Sequence, residues 1–170
     1  MTTKKPILEA VSGFYLTSDL AYMPTDMDTE AGYFVESAPV KVFDAFDRSA
    51  LAEALEGALS RPNTVIPTPK TAPKDLVIGP YIGISTQKEL EQKTVYISVV
   101  RLDTGFRIES LRKAPDGTAD RQGSKAIDTV LPRETTYEQL AAAIIEHLKS
   151  RKDLPGALVD VEKTGIKNEA

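Results

Sequence analysis

The chain contains no cysteine and a single histidine, His147. Most catalytic groups that can be identified from sequence use one of these two residue types as base, nucleophile or metal ligand. His147 lies in a segment with helical periodicity, with no identifiable nucleophile or second ligand, so we interpret it as structural. The composition disfavours many enzyme classes, and we expect no enzymatic activity, no catalytic residue, no metal ion and no cofactor.

Long apolar runs are also absent. No segment approaches the ~18 uninterrupted apolar residues that a membrane-spanning helix requires. Gly13, Thr17, Ser18 and Asp19 interrupt the first hydrophobic stretch, which is therefore not the core of a secretory signal peptide. The lack of cysteine fits a reducing compartment. These features predict a cytoplasmic protein that does not bind membranes.

Basic residues are scarce in the first third of the chain. Residues 1–60 contain ten acidic and four basic residues, a formal charge of −6, whereas the remainder carries +2 and the whole chain −4. An acidic region repels phosphates and disfavours nucleic acid as a partner. It favours a basic partner, although a solvated acidic surface without any partner is the simpler interpretation.

The acidic residues do not form a known calcium motif. Asp26, Asp28 and Glu30 alternate like the first ligands of an EF-hand loop, but Ala31 and Ser37 occupy the positions that require glycine and glutamate. No glycine-rich phosphate loop of the GxGxxG or Walker type occurs either. The acidic segment is therefore not explained by either ligand class.

Residues 23–46 are the strongest candidate for a binding surface. They combine acidic residues with aromatic residues and methionine. Aromatic residues and methionine are enriched in the cores of protein interfaces. The acidic groups can match a basic partner, whereas about half of the aromatic residues would face the core instead. The interface candidates are Asp26, Asp28, Glu30, Tyr33, Glu36 and Asp44.

Length and composition predict a single α/β (α+β) domain that spans residues 1–170. A chain of this size can bury a core without disulfides or metal. We expect a mixed or mainly antiparallel sheet on which two principal helices pack. Residues 1–5 and 162–170 are expected to be loosely ordered.

Two segments have the 3.6-residue periodicity of amphipathic helices. The first is predicted near residues 49–61, with Ser49 as its N-cap. The second is predicted near 136–152, where capping boxes begin at Thr135 or Thr136. Both helices present an apolar stripe that we expect to face the sheet.

Apolar and β-branched runs predict the strands. The clearest are residues 94–102 and 106–111, which the sequence DTG joins as a hairpin. The polar, acidic segment 17–32 is expected to be a loop. Further strands are predicted at 13–16, 33–35, 40–43, 76–84 and 127–131, and a short helix after Thr86.

Three segments follow one another in an order that carries a family resemblance. ALAEALEGALSRPNTVIP is a helix ending in Ser-Arg, followed by a proline-bearing extended segment. YIGISTQKELEQKTVYISVVRLDTGFRIESLRK combines a short helix with a strand hairpin, and IDTVLPRETTYEQLAAAIIEHLKSR ends in a helix with another Ser-Arg. Together they resemble immunity proteins of bacterial contact-dependent growth inhibition systems over roughly residues 49–151.

The resemblance implies a function that needs no catalytic residue. Immunity proteins of this family bind the toxic C-terminal domain of a delivered effector, often a nuclease, and block it. The expected partner is therefore a cognate toxin domain, expected to be a basic nuclease. Two other hypotheses stay open: a small enzyme that uses Asp or Glu with a Tyr, and a subunit of an unrelated assembly.

Overall fold

The structure, a computed structural model, describes residues 3–17 and 20–150. Within these residues the chain forms one α+β domain with seven strands and four helices, which confirms the predicted fold class. The strands are β1 (Leu8–Leu16), β2 (Ala21–Thr29), β3 (Phe34–Phe43), β4 (Val65–Ile66), β5 (Val95–Leu102), β6 (Gly105–Ser110) and β7 (Ile127–Pro132). The helices are α1 (Arg48–Leu59), α2 (Gly79–Ile82), α3 (Gln87–Lys93) and α4 (Tyr137–Ser150).

The sheet is mainly antiparallel. Six strands follow one another in the order β3-β2-β1-β5-β6-β7, and the short β4 pairs with β2 in parallel. The predicted β5–β6 hairpin is confirmed, with its turn at Asp103 to Gly105. Gly105 has a φ of 150°, and a Cβ there would lie 2.0 Å from the Leu131 carbonyl oxygen of β7. Only glycine fits this turn.

Different helices cover the two faces of the sheet. Because side chains alternate along a strand, Phe14 and Leu16 point to one face and Tyr15 to the other. The first face packs against α1 and α4 and forms the main core. On the second face, Ile78 and Leu90 of the α2–α3 segment form a smaller cluster to which Tyr15 belongs.

Both principal helices are confirmed, with one change of cap. The side chain of Asp47, one residue before α1, accepts a hydrogen bond from the Ala50 N–H, so Ser49 is not the cap. At the start of α4, Thr136 and Gln139 exchange hydrogen bonds of 3.0 and 3.1 Å, which is the predicted capping box. His147 is half-buried on this helix.

Parts of several predictions lie outside the described residues. These are the predicted end of the last helix beyond residue 150, the tail at 162–170, and residues 1–2 and 18–19. Among residues 3–17 and 20–150, no helix is long and apolar enough to cross a membrane.

The prediction of a loop over residues 17–32 is wrong, because the segment contains strand β2. Pro24, Asp26 and Asp28 are all residue types that disfavour strands. Pairing with β3 along most of its length overrides that preference. The burial of Ala21 and Met23 in the main core fixes which face of β2 points inward.

The predicted edge strand at 76–84 is also wrong. Its centre is the short helix α2, in which Pro80 occupies the first turn, a position where the missing N–H of proline costs nothing. Gly83 ends the helix in the left-handed region with a φ of 70°. The glycines and proline that we interpreted as a bent strand therefore begin and end a helix.

Candidate protein-binding site

Strands β1 and β2 separate after a short stretch of pairing. They pair at Tyr15 with Tyr22 and at Leu16 with Ala21. Pro24 then follows in β2, and proline has no N–H to donate to a ladder. The separation leaves polar backbone groups on both strands that require other partners.

Asn63, which follows α1, fills part of this gap. Its Oδ1 accepts a hydrogen bond from the Val11 N–H, and its Nδ2 donates to the carbonyl oxygens of Val11 and Asp26, each at 2.8 Å. One amide side chain therefore replaces the missing ladder between β1 and β2. This role fixes where Asp26 lies relative to β1.

Asp26 itself completes the bridge. Its Oδ2 accepts a hydrogen bond from the Gly13 N–H of β1 at 2.9 Å. Across the β2–β3 ladder, Asp26 is directly opposite Glu36, so the two carboxyl groups lie on the same face of the sheet. The Oε1 of Glu36 accepts a hydrogen bond from the Tyr15 hydroxyl at 2.5 Å.

Asp28 lies two residues beyond Asp26 on the same strand and therefore on the same face. Its Oδ1 is buried and has no hydrogen-bond partner within the described part of the chain. We refer to Asp26, Asp28 and Glu36 as the carboxylate cluster. It lies on the second face of the sheet, next to Tyr15, which packs against the small α2–α3 cluster.

Two tyrosines border the carboxylate cluster. Tyr15 and Tyr96 are cross-strand neighbours on β1 and β5, with ring centroids 4.8 Å apart. The Tyr96 hydroxyl lies directly over Gly13, where an added Cβ would be 1.9 Å from it. The absence of a side chain at Gly13 thus makes room for this ring beside Asp26.

Burial and mutual repulsion alter the acidity of the cluster. Burial, followed by the charge of Glu36, raises the pKa of Asp26 to about 7, although the hydrogen bond from Gly13 opposes the shift. Burial also raises the pKa of Glu36, against the hydrogen bond from Tyr15. The pKa of Tyr15 rises through burial and the nearby Glu36, so its hydroxyl remains a donor.

Within the described residues, no cation forms an ion pair with these carboxylates. The ion pairs of that part of the chain join other groups, such as Arg107 with Asp128 and Arg101 with Glu9. Partly buried carboxylates without a cationic neighbour reduce the stability of the isolated fold. The cluster is therefore suited to receive positive charge from another molecule.

A cavity of about 320 Å³ lies beside Glu36. Tyr15, Tyr96 and Leu90 contribute to its wall. Two cations also line it, but both are engaged: Arg121 pairs with Glu91, and the Lys113 ammonium donates to carbonyl oxygens at the end of α3. Glu36 therefore borders an open space that the described residues leave unfilled.

The structure brings together some of the predicted interface residues and separates others. Asp26, Asp28 and Glu36 form the carboxylate cluster. Glu30 and Tyr33 are exposed in the turn between β2 and β3, next to Asp28. Asp44 lies beyond the opposite end of β3, where its Oδ1 accepts a hydrogen bond from the Phe46 N–H before α1.

Sequence reasoning missed Gly13, Tyr15, Asn63 and Tyr96. Nothing in the local sequence connects them with Asp26, since Tyr96 and Asn63 are distant along the chain. A weak signal exists for Tyr15, which alternates with the buried Phe14 and so had to face the opposite side of the sheet. Asn63 resembles an ordinary residue after a helix.

The described residues contain no group of three or more His, Asp or Glu side chains that could hold a metal ion. The two carboxyl groups with raised pKa contribute to different cavities, Asp26 to one near α1 and Glu36 to the one beside α3. The arrangement can bind positive charge, and it can hold or release a proton near neutral pH.

Comparison with known proteins shows a shared fold. No family model and no curated protein matches the sequence. A protein of unknown function from Neisseria meningitidis has a TM-score of 0.57 at 14% identity, covering 86% of this chain and 96% of that one. A chain described as the CdiA-CT/CdiI toxin and immunity complex from Yersinia pseudotuberculosis has a TM-score of 0.55 at 13% identity, covering 84% and 97%. This similarity agrees, at the level of the fold, with the resemblance in the order of elements.

Proposed function

We propose that this protein is an immunity protein that binds and neutralises the toxic C-terminal domain of a contact-dependent growth inhibition effector. The observation that carries the proposal is the carboxylate cluster, whose three acidic groups have no cation partner within the described residues. The fold shared with a chain of a toxin and immunity complex supports it.

The chemistry of the cluster specifies the partner. A nuclease must bind phosphates, so its active cleft is basic, and an acidic inhibitor matches that charge. A lysine or arginine of the toxin that reaches Glu36 or Asp28 would offset their desolvation. Glu30 and Tyr33 in the adjoining turn supply exposed contact area. We therefore propose a basic nuclease as the toxin.

The direct test is complex formation. The gene upstream of this one would be sequenced, and the C-terminal domain of the effector that we expect it to encode would be co-expressed with the protein and the pair purified. We expect a stable complex and protection of growth in cells that produce the toxin domain. Absence of both would overturn the proposed function.

The contribution of the acidic surface can be tested with matched charge reversals. Glu30→Lys and Asp44→Lys change the charge equally, but β3 separates the two positions by about 30 Å. That separation exceeds the screening length of about 10 Å at 0.1 M salt. We expect Glu30→Lys to slow association severalfold while Asp44→Lys has little effect. Equal effects would assign the binding to another surface.

Asp26, although a predicted interface residue, is left out of these charge reversals. Asp26 accepts the hydrogen bond from Gly13 and helps to join β1 to β2, so reversing its charge would disturb the fold. A charge reversal at Asp26 would therefore not test surface binding alone. Glu30 is exposed and does not have this structural role.

An enzyme that uses acid–base chemistry is the second candidate function. Two carboxyl groups with raised pKa beside a tyrosine are typical of catalytic sites. Stoichiometry separates the candidates. A binding protein neutralises toxin only in equimolar amount, whereas an enzyme that acts on the toxin would inactivate an excess of it and change its mass, and an enzyme with another substrate would leave the toxin active. We expect neutralisation only when the protein and the toxin domain are present in equimolar amounts.

A further inference from the structure

A second cavity opens where β1 and β2 separate, next to the last turn of α1. Its volume is about 340 Å³. Buried Ser12 and half-buried Asp26 contribute to its wall, and the exposed residues Lys41, Arg61 and Thr64 lie at its rim. It is distinct from the cavity beside Glu36, and Asp26 is the one member of the carboxylate cluster that lines it.

The hydroxyl group of Ser12 lacks a partner. Ser12 is 2% exposed, and its Oγ has no hydrogen-bond partner among the described residues. A buried polar group without a partner costs about 1–3 kcal/mol, and such groups are few in folded proteins. Ser12 lines the cavity, and a small movement of its buried side chain would let the hydroxyl donate to a molecule bound there.

Two cations at the rim are also uncompensated. Neither Lys41 nor Arg61 forms an ion pair within the described residues, and both line this cavity. The absence of a side chain at Gly57 leaves room for Lys41, since an added Cβ would lie 2.7 Å from the Lys41 Nζ. The ammonium therefore rests against α1 and faces the same space as Arg61.

The negative charge on the cavity wall is limited. Asp26 is the one acidic residue that lines it, and one of its oxygens already accepts from the Gly13 N–H. A pKa of about 7 leaves this carboxyl group partly protonated at neutral pH. The last turn of α1 adds a partial negative charge, which the Lys41 ammonium opposes. The cavity as a whole is positive.

We propose that this cavity binds a small oxyanion of the phosphate class between Lys41 and Arg61, with the Ser12 hydroxyl donating to it. A tetrahedral group with several oxygens can accept from two cations and a hydroxyl at once. A carboxylate has two oxygens and one charge, so it uses these donors less completely. The natural ligand is thus a phosphate-bearing small molecule or phosphate itself.

The test is a titration of the 15N-labelled full chain with inorganic phosphate, sodium sulfate or sodium acetate, followed by amide chemical shifts. Sulfate is included because it does not titrate near neutral pH, unlike phosphate. We expect saturable shifts at Ser12, Lys41 and Arg61 with phosphate and sulfate, and weaker binding of acetate. Acetate binding as tightly as phosphate would overturn the phosphate class.

Substitutions of the two cations test whether phosphate binds in this cavity. We expect Lys41→Gln and Arg61→Gln each to weaken phosphate binding about fivefold, and the double variant to abolish saturation. The control is Lys149→Gln, an exposed lysine on α4 outside the cavity, which should leave the affinity unchanged. Unsaturable shifts, or shifts that persist in the double variant, would overturn the site. The readout is independent of the toxin, so a failed toxin-binding experiment would not affect it.

Discussion

Asp26 and Glu36 are directly opposite each other on β2 and β3, and both accept hydrogen bonds from β1. The Gly13 N–H donates to Asp26 at 2.9 Å, and the Tyr15 hydroxyl donates to Glu36 at 2.5 Å. Side chains thus connect three strands where the backbone ladder between β1 and β2 is interrupted. The connection places two like-charged groups side by side, which costs stability in the free protein. Such a cost is typical of surfaces selected for binding.

Asp26→Asn tests the electrostatic cost of the cluster. The folded state holds the Asp26 proton up to a pKa of about 7, whereas the unfolded chain releases it near 3.8. The folded state therefore binds more protons between these values, and the contribution of Asp26 to stability falls as the pH rises from about 4 to about 7. Asparagine does not titrate and can still accept from Gly13. We expect the variant to be more stable than wild type by about 1–3 kcal/mol at pH 8, in urea denaturation.

The difference in stability between Asp26→Asn and wild type should shrink towards pH 4, because residue 26 is then uncharged in both folded proteins. Asp44→Asn is the matched control, since Asp44 is exposed and outside the cluster. It should show no comparable dependence on pH. A stability difference for Asp26→Asn that stays constant from pH 4 to pH 8 would contradict the raised pKa.

Asn63→Ala tests the side-chain bridge between β1 and β2. The substitution removes three hydrogen bonds and leaves the Val11 N–H without its partner. We expect the free energy of unfolding to fall by about 2–4 kcal/mol. Asn63→Asp keeps the acceptor but adds a charge close to Asp26, so it should be less stable at pH 8 than at pH 5. A loss below about 0.5 kcal/mol for the alanine variant, within the range of ordinary surface changes, would mean that the bridge is dispensable.

Gly13→Ala tests the close approach of Tyr96 to β1. The added methyl group would overlap the tyrosine ring, with its Cβ 1.9 Å from the hydroxyl oxygen. We expect a loss of about 1–3 kcal/mol from overpacking. Tyr96→Ala should remove most of the penalty of the alanine at residue 13, so that the two changes are not additive. A double-mutant cycle measured by denaturation gives this coupling, and strict additivity would refute the contact.

Ile144→Asp tests the packed stripe of α4. Ile144 is fully buried against the main core, and burying an unpaired carboxylate there should cost more than about 4 kcal/mol. Glu146→Gln, on the exposed side of the same helix, is the control and should change stability little. The melting temperature of each variant decides the question, and an unchanged value for Ile144→Asp would show that the helix packs through another face.

The sequence was sufficient to predict the elements that depend on residues close together in the chain. The stripe of α4, the capping box of Thr136, and the β5–β6 hairpin with Gly105 each depend on residues close together in the chain. Such patterns express the physics of a single helix or turn, so they can be interpreted without the rest of the fold. The prediction of a mixed or mainly antiparallel sheet with two principal helices is also confirmed.

Contacts between distant parts of the chain determined strand β2 and the carboxylate cluster. Strand β2 contains residues that disfavour strands, and it forms because β3 and part of β1 supply its hydrogen bonds. The raised pKa of Asp26 depends on Glu36 from another strand, and Tyr96 reaches the cluster through the space above Gly13. These contacts join residues that lie far apart in the chain, so no local pattern encodes them. The sequence alone showed that the first third is acidic, and only the fold determined which acidic residues are brought together.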